Sequence, residues 1–557
     1  MKKKQLLQFG IGIGIIILLN IAATQLFFRI DLTEDKRYSI SPATEQILEN
    51  LDDQVFVTVY LAGDDLPAGF KRLETAIRER LEEFTVYGGK NIQYTFTDPG
   101  AIVDKKARSK FYQQLISKGI QPTNLFAKEG DRQIEKLIFP GALVSYQGKE
   151  LPVLLLKGNK ATGSEQILNQ SVENVEFELA SAMRKLSVTD KKRIGFLLGH
   201  GEPQGTEIAD LVNSLQEYHE VYPVDLPKSP NLQGLDLIIV AKPDTFFSEE
   251  DKYKIDQFIV NGGKALFFVD ALRLDSLTEK GAYAFPYNLN LDDLFFRYGV
   301  RLNGNLIQDL MSASIPLNIG NMGDQPQIKP MPWPYYPLLN TFSKHPVVRN
   351  MDVVYTRYVG TMDTVKATGI VKTPLMLTSQ YTRLVPAPAH VSFNQAALDL
   401  NPALYQKGSF PTAYLLEGKF RSLFANRITS ADPRSTTFKE TGNASKVIVC
   451  SDGDLPTNEI NPKTGKFLPL GYDRFSQNTF ANKDFALNAI DYLLDENGVI
   501  TARNKEIALR PLDKLRIREE RLQWQVINLV APVLLIVLFG IARAYGRKRK
   551  YAVAVNS

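Results

Sequence analysis

Residues 193–204 read RIGFLLGHGEPQ. An apolar run ends on two glycines that bracket a histidine, with a glutamate behind them. A run unbroken by polar residues is how a strand buried on both faces reads, and the glycines mark its handover to a loop. The same pattern repeats downstream. TEIADLVNSLQEY (206–218) has helical spacing, and LDLIIVAKP (235–243) is a second apolar strand. Ser248 is placed to cap a helix whose first turn carries Glu249, Glu250 and Asp251, favourable against the helix dipole. Gly262-Gly263 stops that helix before the strand ALFFVD (265–270). KVIVCSDGDL (446–455) adds a strand and loop, and NKDFALNAIDYLLDENG (482–498) a returning helix. Strands alternating with helices predict a doubly wound α/β sheet within residues 191–505.

Upstream, residues 29–190 predict a first α/β domain. Ser41-Pro42 reads as N-cap and first helical position of a short helix to Leu51. VFVTVYLA (55–62) is a strand, and Phe70, Leu73, Ile77, Leu81 and Phe84 recur at helical spacing before the strand NIQYTFTDP (91–99). This β-α-β opening resembles a thioredoxin-like arrangement without its redox cysteines. Residues 134–156 predict a hairpin turning at Gln147-Gly148. Residues 164–187 predict a long helix with Leu168, Val172, Val175, Leu179, Ala182 and Leu186 on one face. Within the second domain, residues 312–346 are rich in proline, glycine and asparagine and read as a long surface loop. They open a β-rich insertion at about 312–440.

The ends read as membrane segments. Leu6 to Phe28 holds no charge over 23 residues, ~34 Å as a helix, enough for a bilayer core. A cleaved signal peptide is the competing reading, with Ala22-Ala23-Thr24 as a poor cleavage site. Residues 525–542 are also uncharged, with Trp524 and Tyr545 as interfacial anchors and Pro532 tolerable inside a membrane helix. The expected order is a cytoplasmic tip and first span (1–28), the exterior domains, a membrane-proximal helix (506–523), a second span (524–545) and a basic tail (546–557). The compact lysines at 2–4 place both termini in the cytoplasm of a bacterial inner membrane and the main domains in the periplasm.

Composition and motifs exclude much. The net charge of +5 comes from the ends: residues 1–28 carry +3 and 522–557 carry +5, leaving 29–521 at −3. A nucleic-acid partner would need a basic folded part. Cys450 is the single cysteine, so no internal disulfide or cysteine zinc site forms. Gly199, Gly201 and Gly205 miss the dinucleotide spacing, and Gly263-Lys264 is followed by Ala265, so there is no Walker A motif. No cofactor is expected.

His200 and Glu202 sit where a doubly wound fold places ligands, beyond the carboxyl ends of strands. The fold resembles the class I glutamine amidotransferase-like group, whose chemistry needs a cysteine on a sharp strand-to-helix turn. Cys450 is followed by Ser-Asp-Gly-Asp, so a Cys450–His200 dyad is not expected. His200, Glu202, Asp452 and Asp454 lack a recognised metal spacing, and no metal is assigned. Gly199, His200, Gly201, Glu202, Asp452 and Asp454 are candidates for a ligand or partner pocket. Trp333, Tyr335 and Tyr336 are candidates for stacking on a sugar or filling a partner pocket.

Taken with the segment DLTEDKRYSISPATEQIL (31–48), the motif GFLLGHGEP and the ending RPLDKLRIREERLQWQVINLVAPVLL, the chain resembles the gliding-motility-associated ABC transporter components (GldG) of the Bacteroidota over essentially its whole length. The resemblance implies a non-enzymatic extracytoplasmic arm. Its partners would be a multi-span ABC permease, a cytoplasmic ATPase reached through that permease, and the lipid bilayer. It implies a link to gliding and to the associated secretion machinery, and it supplies no catalytic residues. Pro511, Arg518, Trp524 and Pro532 would couple membrane movement to the exterior. The alternatives are a membrane-anchored receptor for a glycan or peptide, and a hydrolase or amidotransferase-like enzyme using His200.

Overall fold

The computed structural model describes residues 39–504 and 514–552, apart from positions 64, 130–131, 162, 189, 275–276, 278–280, 323–324, 394, 396–400 and 496–497, together with residues 9, 11, 13, 14 and 17. The expected first span otherwise lies outside the described residues, as does Pro511. The chain divides into two units, 1–506 and 507–557.

Helix α1 (Pro42–Glu49) opens the first unit, its Ser41 side chain accepting from the Thr44 amide as the N-cap. Strand β1 (Val55–Val59), helix α2 (Ala68–Gly88) and strand β2 (Ile92–Phe96) form the expected β-α-β crossover, with β1 and β2 parallel. Helix α3 (Lys105–Ser117) and a hairpin of strands 123–129 and 132–138, unexpected from sequence, follow. Strands β3 (Gly141–Tyr146) and β4 (Lys149–Leu154) turn through Gln147 and Gly148, both at positive φ, and complete a sheet of order β2-β1-β3-β4. Helix α4 (Ser164–Ser187) covers it, with Val175, Leu179 and Ala182 in the core against Val55, Val57 and Val144.

The second sheet has seven strands. Strand β5 (Arg193–Leu198) leads to helix α5 (Ala209–Gln216), preceded by a 3-10 turn at Gly205–Glu207 that shortens the expected helix. Strands β6 (Glu220–Asp225) and β7 (Leu237–Ala241), helix α6 (Glu249–Val260) and strand β8 (Lys264–Phe268) continue it, Ser248 capping α6 as expected. Strands β9 (Leu272–Leu274) and β10 (Ala282–Pro286) begin a smaller sheet, and helix α7 (Asp292–Tyr298) ends at Gly299 in the left-handed conformation.

Most of 312–346, expected as a surface loop, is strand, and among its described residues only the last few are irregular. Strands β11 (Ser312–Met322) and β12 (Gln325–Leu339) form a long antiparallel hairpin. Its prolines hide the strand signal: they pair across the ladder at Pro316–Pro330 and recur on alternate residues of β12, a position that costs no hydrogen bond where the N–H would point off the ribbon. Trp333 and Tyr335 at its base are fully buried. Strand β13 (Ile370–Pro374), strand β14 (Ala389–Val391, joining β9-β10), strand β15 (Ala413–Arg421) and strand β16 (Thr441–Cys450) follow. Thus within the expected insertion two strands, β13 and β15, belong to the main sheet, whose order is β13-β15-β16-β8-β7-β5-β6. The stretch β16-β8-β7-β5-β6 is parallel, and β13 and β15 are antiparallel additions.

Alternate residues of the central strands face two cores. Phe196, Ile239, Leu266, Ile448 and Cys450 pack with α5 and helix α8 (Asn482–Leu494); Leu197, Val240, Phe267 and Val449 pack with α6 and α7. The sheet is therefore covered on both faces, as its apolar runs predict. In the second unit, helix α9 (Lys514–Ala552) is continuous through Pro532.

Trp333→Ala is expected to cost about 3–5 kcal/mol, the loss for a large buried aromatic. Chemical denaturation of the full chain measures it; a cost near zero would mean that the hairpin base is not packed.

Candidate functional site

In chain order the parallel strands run 5-4-3-1-2 across the sheet. The connection after β5 passes to one face and that after β7 to the other, so the two loops part between them. Open α/β sheets place ligands in this crevice beyond the strand ends. A cavity of about 410 Å³ lies there. Gly201, Pro203 and Glu207 line it from the loop after β5, Lys242 and Asp244 from the loop after β7, and Asp454, Thr457 and Asn458 from the loop after β16. A second cavity of about 120 Å³ shares Asp454, Thr457 and Asn458 and reaches Arg357, Glu459 and Tyr472. The two loops singled out in the sequence thus meet at one site.

His200 is 3% exposed and ties these loops together. Its carbonyl accepts from the amides of Asp244 and Thr245 at 2.8 and 3.1 Å. Its own amide donates to Glu202 Oε2 at 2.7 Å. Its ring stacks on Phe247 at 3.7 Å, with Nε2 3.4 Å from Asp251 Oδ2 and Nδ1 3.6 Å from Glu202 Oε1. Gly199 and Gly201 hold positive φ, and a Cβ on Gly201 would fall 1.5 Å from Asp244 Oδ1. The glycines are therefore required by the turn and by the close approach of Asp244.

Cys450 faces the core shared with α5 and α8, whereas Phe247, which carries the His200 ring, belongs to the opposite core. The sheet stands between thiol and imidazole. Burial, then the Asp452 charge, pushes the thiol far above its usual range, the reverse of what a nucleophilic thiolate needs.

The sequence reading missed Asp270, which follows β8. Asp270, Asp452 and Asp454 bring carboxylate oxygens within 4.8 Å of one another. Burial, then the Asp454 charge, raises Asp270 to about 7 against the pull of Lys242. Burial, Asp454 and Asp270 raise Asp452 well above the carboxylate range. Lys242, at positive φ, places its ammonium on Asp454. Burial disfavours that charge, but Asp454 and Asp270 outweigh it and hold the lysine protonated. Asp270 accepts from the Gly453 amide at 2.6 Å, and Asp452 from the Asp454 and Arg357 amides at 2.8 and 3.0 Å. Three carboxylates suit a hard cation, yet here an internal ammonium and backbone amides already answer them. The missing signal was tertiary: three aspartates from two strand ends converge only after β8 and β16 pair.

Trp333 and Tyr335 do not offer stacking faces, because both are enclosed in the β-rich core. Tyr336 is partly buried beneath the Arg357 guanidinium, 5.6 Å from its ring. Trp524, on α9, is exposed and donates through Nε1 to Glu520 at 2.9 Å.

A family model described as an ABC-type uncharacterized transport system matches residues 191–489. A domain of unknown function, DUF7088, matches residues 34–145. The chain is 21% identical to an uncharacterized protein of Borreliella burgdorferi (strain ATCC 35210 / DSM 4680 / CIP 102532 / B31), the alignment covering 99% of each. Among solved structures, the mmIFT52 N-terminal domain is similar over 54% of this chain and 97% of that one, at a TM-score of 0.30 and 12% identity.

Two expectations follow from the electrostatics. Burial and the Asp454 charge push Asp270 from its ordinary 3.8 up to about 7 in the fold, so the folded state holds an extra proton between those values. Stability must then fall as pH rises through that window. Thermal melts of the full chain should show this decline, and Asp270→Asn, which keeps the acceptor for Gly453 but cannot ionise, should make it shallower, the raised Asp452 accounting for the remainder; parallel curves would refute the assignment. Cys450 should resist iodoacetamide in the native protein and react fully in denaturant, read by mass spectrometry.

Proposed function

The chain belongs to the ABC-type uncharacterized transport system family, and from that membership we propose that it is a non-catalytic, membrane-anchored exterior subunit of an ABC transport complex. A role associated with ABC transport follows from the family. The finer reading is that this chain stands in the bacterial inner membrane with two spans and both termini in the cytoplasm. In it, the chain docks on a multi-span permease driven by a cytoplasmic ATPase and serves gliding motility, as the resemblance to GldG proteins implies. The thioredoxin-like and amidotransferase-like likenesses of its two α/β domains belong to the same proposal.

One observation carries it. Glu519–Arg549, within α9, is the one helix among the described residues long and apolar enough to cross a membrane, its most apolar 18 residues having a mean hydropathy of 2.4. Leu529, Leu535, Ile536, Phe539 and Ile541 are each more than 60% exposed, a surface that water would oppose and lipid or neighbouring helices would cover. Trp524 and Tyr545 sit near its two ends, where interfacial aromatics anchor a span. The helix already runs through Arg518 before Trp524 and continues past Pro532. A rod of that kind would pass permease movement outward, and those residues with Pro511 are its proposed coupling points. The crevice lined by Gly201 and Asp454, with Gly199 and the buried His200, Glu202 and Asp452 beside it, is the proposed seat for a ligand or a partner loop.

A tagged full chain drawn from its native membrane in mild detergent should bring down a multi-span permease and a P-loop ATPase in fixed ratio, identified by mass spectrometry. Recovery of the chain alone would sink the subunit reading.

A further inference from the structure

We propose that the cavity between helix α7 and the ends of strands β8 and β10 binds a small organic amine. This rests on the cavity itself and not on the transport reading. The cavity, of about 320 Å³, adjoins the strand-end crevice, and Tyr287 lines both. Val269, Leu289, Leu291, Phe295 and Leu302 make its walls apolar. Asp270 lines it from the end of β8, and Asp292 from the first turn of α7. A mainly apolar hollow with a few convergent polar groups is the usual form of a small-molecule site, and this volume lies at the lower end of the range of about 300–1,000 Å³.

The cations around the cavity are already engaged elsewhere. Arg301 lines it, but Asp363 holds its guanidinium at 2.8 Å. Lys242 lies on Asp454. Lys252, whose charge is felt at Asp292, is shared between Glu249 at 2.7 Å and Asp293 at 3.0 Å. Asp292 makes no side-chain hydrogen bond or ion pair among the described residues. Asp270 is 9% exposed. Its Oδ1 accepts from the Gly453 amide at 2.6 Å, whereas its Oδ2 accepts no hydrogen bond. An oxygen left without a donor on so buried a carboxyl is costly to keep, and a donor brought into the cavity would answer it.

The chemistry selects the occupant. Ionised carboxylates only accept hydrogen bonds, and an ammonium group offers donors alone together with the opposite charge. An anion would be repelled by both aspartates, and a neutral alcohol would answer a hydrogen bond but no charge. The apolar walls call for a hydrocarbon body behind the ammonium. Burial and the Asp454 charge raise Asp270 to about 7, so at neutral pH it gives up its proton readily to an arriving cation. Asp452 and Asp454 stand on its crevice side and add to the negative field. A lysine of a partner protein presents the same group, so the experiment must separate it from a free amine.

The test is calorimetric titration of the detergent-solubilised full chain with 2-phenylethylamine and with hexylamine, the heats of protein-free micelles being subtracted. The comparison probes are neutral 2-phenylethanol, anionic 3-phenylpropionate and a capped lysine tripeptide. At least one amine should bind more tightly than all three. Asp292→Asn and, separately, Asp270→Asn should each weaken amine binding about tenfold and leave 2-phenylethanol unaffected. Gly304 also lines the cavity, and a Cβ added there would meet nothing closer than Pro286 Cγ at 3.9 Å. Gly304→Leu should therefore fill the space and weaken amine and alcohol alike. Unchanged melting temperatures would certify Asp292→Asn and Gly304→Leu as folded. Absence of binding by both amines would overturn the proposal. So would binding by the lysine peptide alone, or amine binding that Asp292→Asn and Gly304→Leu both leave unaltered.

Discussion

Helix α4 has to satisfy two cores at once. Val175, Leu179 and Met183 fill the first, whereas Phe177 reaches the second. Between them lie the buried carboxylate of Glu176 and the partly buried one of Glu178. Glu176 accepts from the Ser41 amide at 2.6 Å and from Thr44 Oγ1 at 3.1 Å, with Arg80 at 3.4 Å. Glu178 meets Lys157 at 3.0 Å and Arg503 at 3.6 Å, and the Arg503 guanidinium also covers the Phe177 ring at 4.4 Å. The first helix of the unit and its last turn are therefore held by neighbouring residues of one helix. A buried ion pair contributes little as a net gain, but losing one member strands the other charge at a cost of about 3–5 kcal/mol. This makes α4 the seam through which the two α/β sheets behave as one compact unit.

The same principle governs the strand-end crevice. Carboxylates at the ends of β8 and β16 cannot all ionise in so little water, so burial and mutual repulsion raise Asp270 and Asp452 while Lys242 balances Asp454. The site is electrically closed from within. His200 has the corresponding mechanical part: its carbonyl and amide bind the loops, and its ring is spent on Phe247 and Asp251. A loop whose letters resemble an enzyme's is here a fastening between two crossovers.

The β-rich part shows how packing redistributes roles among similar residues. Trp333, Tyr335, Tyr283 and Phe285 are all aromatics on strands, but the pleat sends the first two inward and the last two outward. Each inner ring needs a wall, supplied by Ala284 and Ala389, and those small residues alternate with the exposed aromatics on the same strands.

Local pattern by itself determined much of this protein. The apolar runs of β5, β7, β8 and β16, the Ser41 and Ser248 caps, the Gln147-Gly148 turn and the one-sided face of α4 were all legible, because each depends on residues a few positions apart. The loop glycines flanking His200 were legible for the same reason. Only the tertiary structure decided that proline-rich 312–339 is a ribbon, since a proline is harmless or fatal to a strand according to which way its missing N–H would point. Only pairing of β8 with β16 set Asp270 beside Asp452 and Asp454, 182 and 184 positions further along the chain. Strand order, and with it the place of the crevice, follows from which face each crossover takes, a choice made by contacts between segments that the chain itself holds far apart.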